Sequence, residues 1–324
     1  MSDTNNTDNT DNINNNNISG ALNLNKPAGC SSHDMVYFTR RLFGLKRVGH
    51  TGTLDPMATG VLPVLIGGAT KLSEILSDRD KSYRAILRLG LATDTMDITG
   101  NIISEAAENA PVPGIDEVKQ AAAEFIGTIE QIPPVYSAIK LNGRKLYEYA
   151  RDGIEIKPEP RVITIYSLTC ESAGGPREYI LDITCSKGAY IRSLCHDIGA
   201  KLKCGGVMAA LERTRSGNFC ISGAYTPEIL ESLKKDRGPE YLESLLISSE
   251  EILRGVTNKK IALSGFYEKL AKNGAEIYLH KIKPADDLRA GDKVLMYGEN
   301  GALFALGEVR VYADGPACKP VIML

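Results

Sequence analysis

The segment Gly49-His-Thr-Gly-Thr-Leu-Asp-Pro-Met-Ala-Thr-Gly60 is polar and loop-like, and the apolar run Val61-Leu-Pro-Val-Leu-Ile66 follows it directly. Glycines at 49, 52 and 60 permit a tight turn or the close approach of another backbone or a ligand. Pro56 biases Asp55 away from helix. An ionised carboxylate fixed beside Leu54 is suited to act as a nucleophile. Asp-Pro is equally a common turn pair, so the segment by itself leaves both readings open.

Regular elements are predicted on either side. Ala21 to Asn25 alternates like a short strand. Met35, Phe38 and Leu42 have helical spacing, with Ser31 or Ser32 as cap and Gly44 as stop. Tyr83, Ala85, Leu87 and Leu89 predict a strand, and Ile115, Val118, Ala122 and Phe125 a helix. Ile139–Leu141 runs into an Asn142-Gly143 turn. Tyr179 to Cys185 is a further strand, and Ile191, Leu194, Cys195, Ile198 and Leu202 a helix. Strands and helices mix without a strict βαβ rhythm, so the class is α+β rather than doubly wound. Beyond Asn258, short strands at 293–297, 303–306, 308–312 and 321–324 predict a small β-rich domain. Residues 2–17 are mostly Asn, Thr and Asp and predict a disordered tail. The expected division is a tail over 1–19, a large domain over 20–254 and a small domain over 255–324.

Composition sets the bounds. The chain has 324 residues, 43% hydrophobic and 24% charged, which are ordinary globular values. Roughly 100–200 residues per domain suggests about two domains. No apolar run reaches the roughly 18 residues of a membrane helix. The beginning of the sequence has no basic or apolar leader pattern, so no secretory signal is expected. Seven cysteines without a CxxC pair disfavour both a disulfide framework and a zinc finger. A reduced, cytoplasmic protein is expected.

The net charge of −2 conceals local structure. Lys26, Arg40, Arg41, Lys46 and Arg47 face only Asp34 between 26 and 50. Lys187, Arg192, Lys201, Lys203, Arg213 and Arg215 face Asp197 and Glu212 between 187 and 215. Such stretches can form a phosphate-binding track, and from charge alone solvated helix faces are the plainer reading. No GxxxxGK[ST] or GxGxxG occurs. His196-Asp197 resembles a metal-hydrolase pair, but only three other histidines exist and none has a suitable local partner. Asp94 and Asp97 read as turn and cap residues of a strand-end loop.

Several boxes in order carry a resemblance. Leu24-Asn-Lys-Pro27 precedes Ser31-Ser32, and the Gly49 segment continues to Pro63. Lys81-Ser-Tyr-Arg84 leads to Thr93-Asp-Thr-Met-Asp97. Ile132-Pro-Pro-Val-Tyr-Ser-Ala-Ile-Lys140 precedes Gly143-Arg-Lys-Leu-Tyr-Glu-Tyr-Ala-Arg151. Cys185-Ser-Lys-Gly-Ala-Tyr-Ile-Arg-Ser-Leu194 closes the series. From about 20 to 217 the chain resembles the TruB family of tRNA pseudouridine synthases. The resemblance implies a catalytic domain with a mixed, mainly antiparallel sheet flanked by helices. It also implies, more weakly, a PUA-like RNA-binding domain over 255–324.

The implied activity is isomerisation of the T-loop uridine at tRNA position 55, an intramolecular transfer that needs no cofactor and no metal. Asp55 matches the nucleophile, Arg192 the arginine paired with it, and Tyr83 the residue that stacks on the base. Tyr190 and Leu211 match pocket-lining positions, and His50 the histidine that enters the RNA loop during base flipping. Lys26 is expected to bind the substrate backbone with Arg40, Arg41, Lys46 and Arg47. The implied partner is the tRNA T-arm, with no membrane, no obligatory protein partner and a monomeric state. A tRNA-folding chaperone on the same scaffold and a guide-RNA-dependent synthase are the rival readings. Glu212 stands where the family commonly has a second basic residue, which puts one phosphate contact in doubt.

Overall fold

The computed structural model describes residues 18–282, 285 and 287–324. The predicted tail falls mostly outside them, over 1–17. Ile18 and Ser19 are placed, and the Ser19 hydroxyl accepts from the Ala69 amide at 3.0 Å.

The chain begins with β1 (Gly20–Lys26), α1 (Ser32–Phe43), β2 (Val48–His50), β3 (Thr59–Ile66), α2 (Ser73–Ser77) and β4 (Lys81–Leu89). A ribbon of β5 (Leu91–Thr93) and β6 (Ile102–Glu105) follows, then α3 (Ile115–Ala123) and β7 (Gly127–Gln131). A small hairpin of β8 (Lys140–Leu141) and β9 (Arg144–Lys145) leads into α4 (Leu146–Arg151). The remaining elements of this part are β10 (Arg161–Ser172), β11 (Glu178–Cys185), α5 (Ile191–Lys201), β12 (Gly206–Ser216) and β13 (Phe219–Cys220).

Nine of these strands make one sheet, in the order β1-β3-β12-β4-β11-β10-β7, with β2 on β3 and β13 on β12. Every pairing is antiparallel except β3 with β12, so the predicted mixed, mainly antiparallel sheet is what forms. The parallel join depends on one glycine. Gly60 faces Arg213 in the register, and a Cβ on Gly60 would lie 2.3 Å from the Arg213 carbonyl oxygen. Its φ of +101° is also one that side chains disfavour.

Local rules account for α1. Ser31 caps it with Asp34 completing a capping box, and Gly44 ends it in the left-handed conformation. Its Met35, Val36 and Leu42 pack on Leu22, Leu24 and Leu62 of the sheet in one apolar core that also takes in α3 and α5. Each fully buried aliphatic of this kind contributes about 1.5–3 kcal/mol.

Three helices, α6 (Pro227–Arg237), α7 (Pro239–Ser244) and α8 (Ser249–Arg254), bridge to a second sheet. That part comprises β14 (Lys260–Ala262), α9 (Gly265–Lys272), β15 (Ile277–Tyr278), β16 (Lys293–Tyr297), β17 (Leu303–Tyr312) and β18 (Gly315–Met323). Its five strands are ordered β14-β16-β17-β18-β15. The two strands predicted at 303–306 and 308–312 are one. Gly307 is not a turn but a point of tight packing, where a Cβ would come within 2.6 Å of Cys318 Sγ. Leu295 and Leu306 join Ala21, Val61 and Leu65 in an apolar cluster between the sheets. Among the described residues no helix is long and apolar enough to cross a membrane.

Candidate active site

The turn between β2 and β3 is held from the stretch that runs from the end of β1 to the start of α1. Ser32 Oγ accepts from the Leu54 amide at 2.8 Å and donates to the Leu54 carbonyl at 3.2 Å. The Gly29 amide donates to the Pro56 carbonyl at 2.9 Å. Lys26 Nζ donates to the same carbonyl at 3.2 Å and to those of Pro27 and Cys30 at 2.8 Å. These bonds bury Leu54 and leave the Asp55 side chain, 34% exposed, at a cleft.

Arg192, in the first turn of α5, meets that carboxylate with two prongs: Nε to Oδ2 at 2.9 Å and Nη2 to Oδ1 at 3.2 Å. A planar guanidinium suits this geometry, which a lysine could not reproduce. Arg192 is itself buried and fixed by the carbonyls of Thr95 and Tyr136, at 3.2 and 2.9 Å. Asp97 lies 3.9 Å from its Nη1. Burial pushes the Asp55 carboxyl above its ordinary value, the Arg192 charge pulls it back, and Asp97 adds to the upward push.

The cleft measures about 600 Å³ and is lined by Asp55, Tyr83, Tyr190, Arg192, Leu211 and Arg213, among others. Tyr83 comes from β4, and burial pushes its phenol upward. Tyr190 precedes α5, and the Gln131 side chain clasps its backbone N and O at 2.8 and 3.1 Å. Leu211 comes from β12 and is 8% exposed. Five predicted site residues therefore meet in one cleft: Asp55, Tyr83, Arg192, Tyr190 and Leu211.

His50 and Lys26 are placed differently. His50 ends β2 and does not line the cleft. Burial, Arg213 and His33 lower its pKa, and a backbone contact with Gly52 opposes them. Lys26 is fully buried, with its ammonium spent on three carbonyls. The expectation that Lys26 contacts a phosphate is corrected: it ties the opening loop to the Asp55 turn. The second basic stretch shrinks in the same way, because Arg192 and Arg213 are buried. Glu212 pairs with Arg84 across β12 and β4, alternating away from the cleft-lining Leu211 and Arg213.

The sequence model of the TruB family pseudouridylate synthase N-terminal domain matches residues 40–191. That of the tRNA pseudouridylate synthase B C-terminal domain matches 192–254. The tRNA pseudouridine synthase B of Alkaliphilus oremlandii is 44% identical over 87% of this chain and 90% of its own. This chain belongs to the TruB family. The synthase B of Clostridium perfringens is 40% identical over 90% of the chain and 95% of its own length. Among solved structures, the crystal structure of a Cbf5–Nop10–Gar1 complex superposes with a TM-score of 0.69 at 27% identity. It covers 93% of this chain and 83% of that one.

Sequence reasoning passed over Lys81 and Arg213 as individual site residues. Lys81 lines the cleft two residues before Tyr83 and is 6% exposed. Burial lowers its pKa to about 8. Arg213 lies two residues beyond Leu211 on the same face of β12. A strand assignment there would have found it.

Proposed function

We propose that this chain isomerises uridine to pseudouridine in tRNA, at T-loop position 55, with Asp55 as nucleophile. The observation that carries this reading is the Asp55 carboxylate held by both prongs of Arg192 in a cleft it shares with Tyr83. The isomerisation breaks the bond from the base N1 to the ribose, turns the base, and forms a bond from C5 to the ribose. C5 gives up its proton and N1 regains one, so nothing is oxidised. Attack at the base and attack at the sugar both start from the same ionised carboxylate. Partial desolvation strengthens that nucleophile, while Arg192 keeps it aimed.

The base enters the cleft flipped from its stack. Tyr83 is assigned the face of the base, and Tyr190 and Leu211 the pocket wall. His50, beside the Asp55 turn, is assigned to the RNA loop, which imidazole can stack on. The five-stranded sheet over 260–323 is assigned the PUA-like RNA-binding role. The relatives named tRNA pseudouridine synthase B, at 40–44% identity, support action on tRNA without a guide RNA or partner protein more directly than the Cbf5 complex at 27%.

Tritium release from C5-labelled uridine in an unmodified tRNA transcript tests the reading with purified protein alone. Wild type should release label and Asp55→Asn should not, while both bind tRNA. Tight binding with no release from wild type would favour the folding-chaperone or guide-dependent reading. Release from a transcript whose position 55 is not uridine would overturn the site assignment.

A further inference from the structure

Gln131 ends β7 and is 2% exposed. Its side-chain amide finds both partners on one residue: Oε1 accepts from the Tyr190 amide at 2.8 Å, and Nε2 donates to the Tyr190 carbonyl at 3.1 Å. That carbonyl also accepts the first helical bond of α5, from the Leu194 amide at 3.1 Å. Tyr190 supplies no side-chain cap of its own. The same turn is tied twice more to the connector that follows β7. Ser193 Oγ donates to the Ile132 carbonyl at 2.8 Å, and Arg192 Nη2 to that of Tyr136 at 2.9 Å. The clamp on Tyr190 therefore acts two residues from the guanidinium that grips Asp55 at 2.9 and 3.2 Å.

We propose that Gln131 is a positioning residue, which sets the first turn of α5 so that Arg192 meets the Asp55 carboxylate with both prongs. The inference deepens the proposed isomerase reading and rests on it for its effect on turnover. A primary amide carries a donor and an acceptor on one planar group, so it pairs with a backbone N–H and C=O as a neighbouring strand would. A two-pronged ion pair needs its guanidinium in register with the carboxylate. The carbonyls of Thr95 and Tyr136 hold the far end of Arg192. Gln131 holds the backbone from which it springs.

The test uses Gln131→Met, which keeps the length and removes both bonds, and Gln131→Asn, which keeps the amide but falls short by one methylene. In the tritium-release assay each should lower kcat by about tenfold to a hundredfold, the scale of a slightly misplaced reacting group. KM should stay within about threefold, because the substitution is buried and leaves the exposed surface intact. In an Arg192→Lys background the two prongs are already lost, so Gln131→Met should cost less than about threefold there. A loss confined to KM, or an equal loss in both backgrounds, overturns the proposal.

Independently of turnover, the carboxyl carbon of Asp55, assigned by NMR with Asp55→Asn, reports the pair through its titration. Arg192 pulls that pKa down, so a slackened pair lets it rise, while Asp97 and Lys26 keep their charges. In both Gln131 variants the midpoint should move up by about half a pH unit or more, part of the roughly 1–3 that an adjacent cation is worth. An unmoved or lowered midpoint overturns the proposal. Failure of both variants to fold does so too, because it leaves the residue a role in stability alone. A wild type that releases no tritium counts against the isomerase reading, and the titration still decides this one.

Discussion

The two sheets bury different chemistry. Beneath the five-stranded sheet the core is Ile261, Val294, Met296, Phe304 and Val309, with no buried charged side chain among the described residues. The nine-stranded sheet and its loops bury Lys26, Lys81, Asp97, Arg192 and Arg213. Removing a charge from water costs several kcal/mol even after relaxation, and good partners offset that only in part. Four buried cations around one half-buried carboxylate and one buried one make a poor recipe for stability. They make a good one for a site that must hold an anion aimed and dry. The contrast suggests that the large sheet carries charge at the expense of stability, while the small sheet and the cluster between the two supply stability without chemistry.

The largest expected break in that contrast is Asp55→Asn. The amide is nearly isosteric but is no carboxylate nucleophile, so turnover should fall by at least about a thousandfold. Binding of tRNA should survive. Measurable turnover within tenfold of wild type would take Asp55 out of the nucleophile role. Arg192→Met comes next. It leaves Asp55 and Asp97 without their shared cation, and removing one partner of a buried pair costs about 3–5 kcal/mol. Urea unfolding should show a loss of that size. A variant as stable as wild type would mean that Arg192 is no net support to the fold.

Leu306→Ala probes the other side of the comparison. Leu306 is fully buried in the cluster between the sheets. Its truncation should cost about 2–5 kcal/mol in unfolding experiments. At temperatures where the variant stays folded, kcat should be unchanged. A fall in kcat with intact folding would show that the small sheet tunes the cleft, and the division of labour would fail.

Much of this was legible in the sequence, and the exceptions are instructive. The spacing of Met35, Phe38 and Leu42 with Ser31 and Gly44 at the ends marked α1, because capping and periodicity are local. The boxes around Asp55, Tyr83 and Arg192 marked residues that do meet in space. The strand β12 was invisible, although it is central. Its alternation is broken by register shifts at Met208/Ala210 and Arg213/Arg215, and a buried arginine occupies a position where pattern reading expects an apolar residue. Strand β10 was missed as well. Lys26 misled for the same reason as Arg213: a charge in sequence reads as surface, and only the three carbonyls that receive its ammonium show otherwise.

The smallest effect is the sharpest probe of the charge cluster. On the proposed mechanism activity needs ionised Asp55, so it should be lost as pH falls through a pKa that burial holds above the ordinary value near 3.8. Asp97 contributes to that rise. In Asp97→Asn the retained oxygen can still accept from Thr95 and Thr99, whose bonds all run to Oδ1. The charge beside Arg192 disappears, so the acid limb of the pH–rate profile, normalised to its plateau, should move to lower pH. A limb that stays put or moves up would remove Asp97 from the electrostatics of Asp55. Stability should run the other way from activity. Between the ordinary carboxylate value and the raised one, the folded chain holds a proton on Asp55 that the unfolded chain has released. Stability from this group therefore falls as pH rises through that window, while activity grows. Asp55→Asn should abolish that component of the pH dependence. Its persistence in the variant would show that another buried acid, and not the nucleophile, bears the cost.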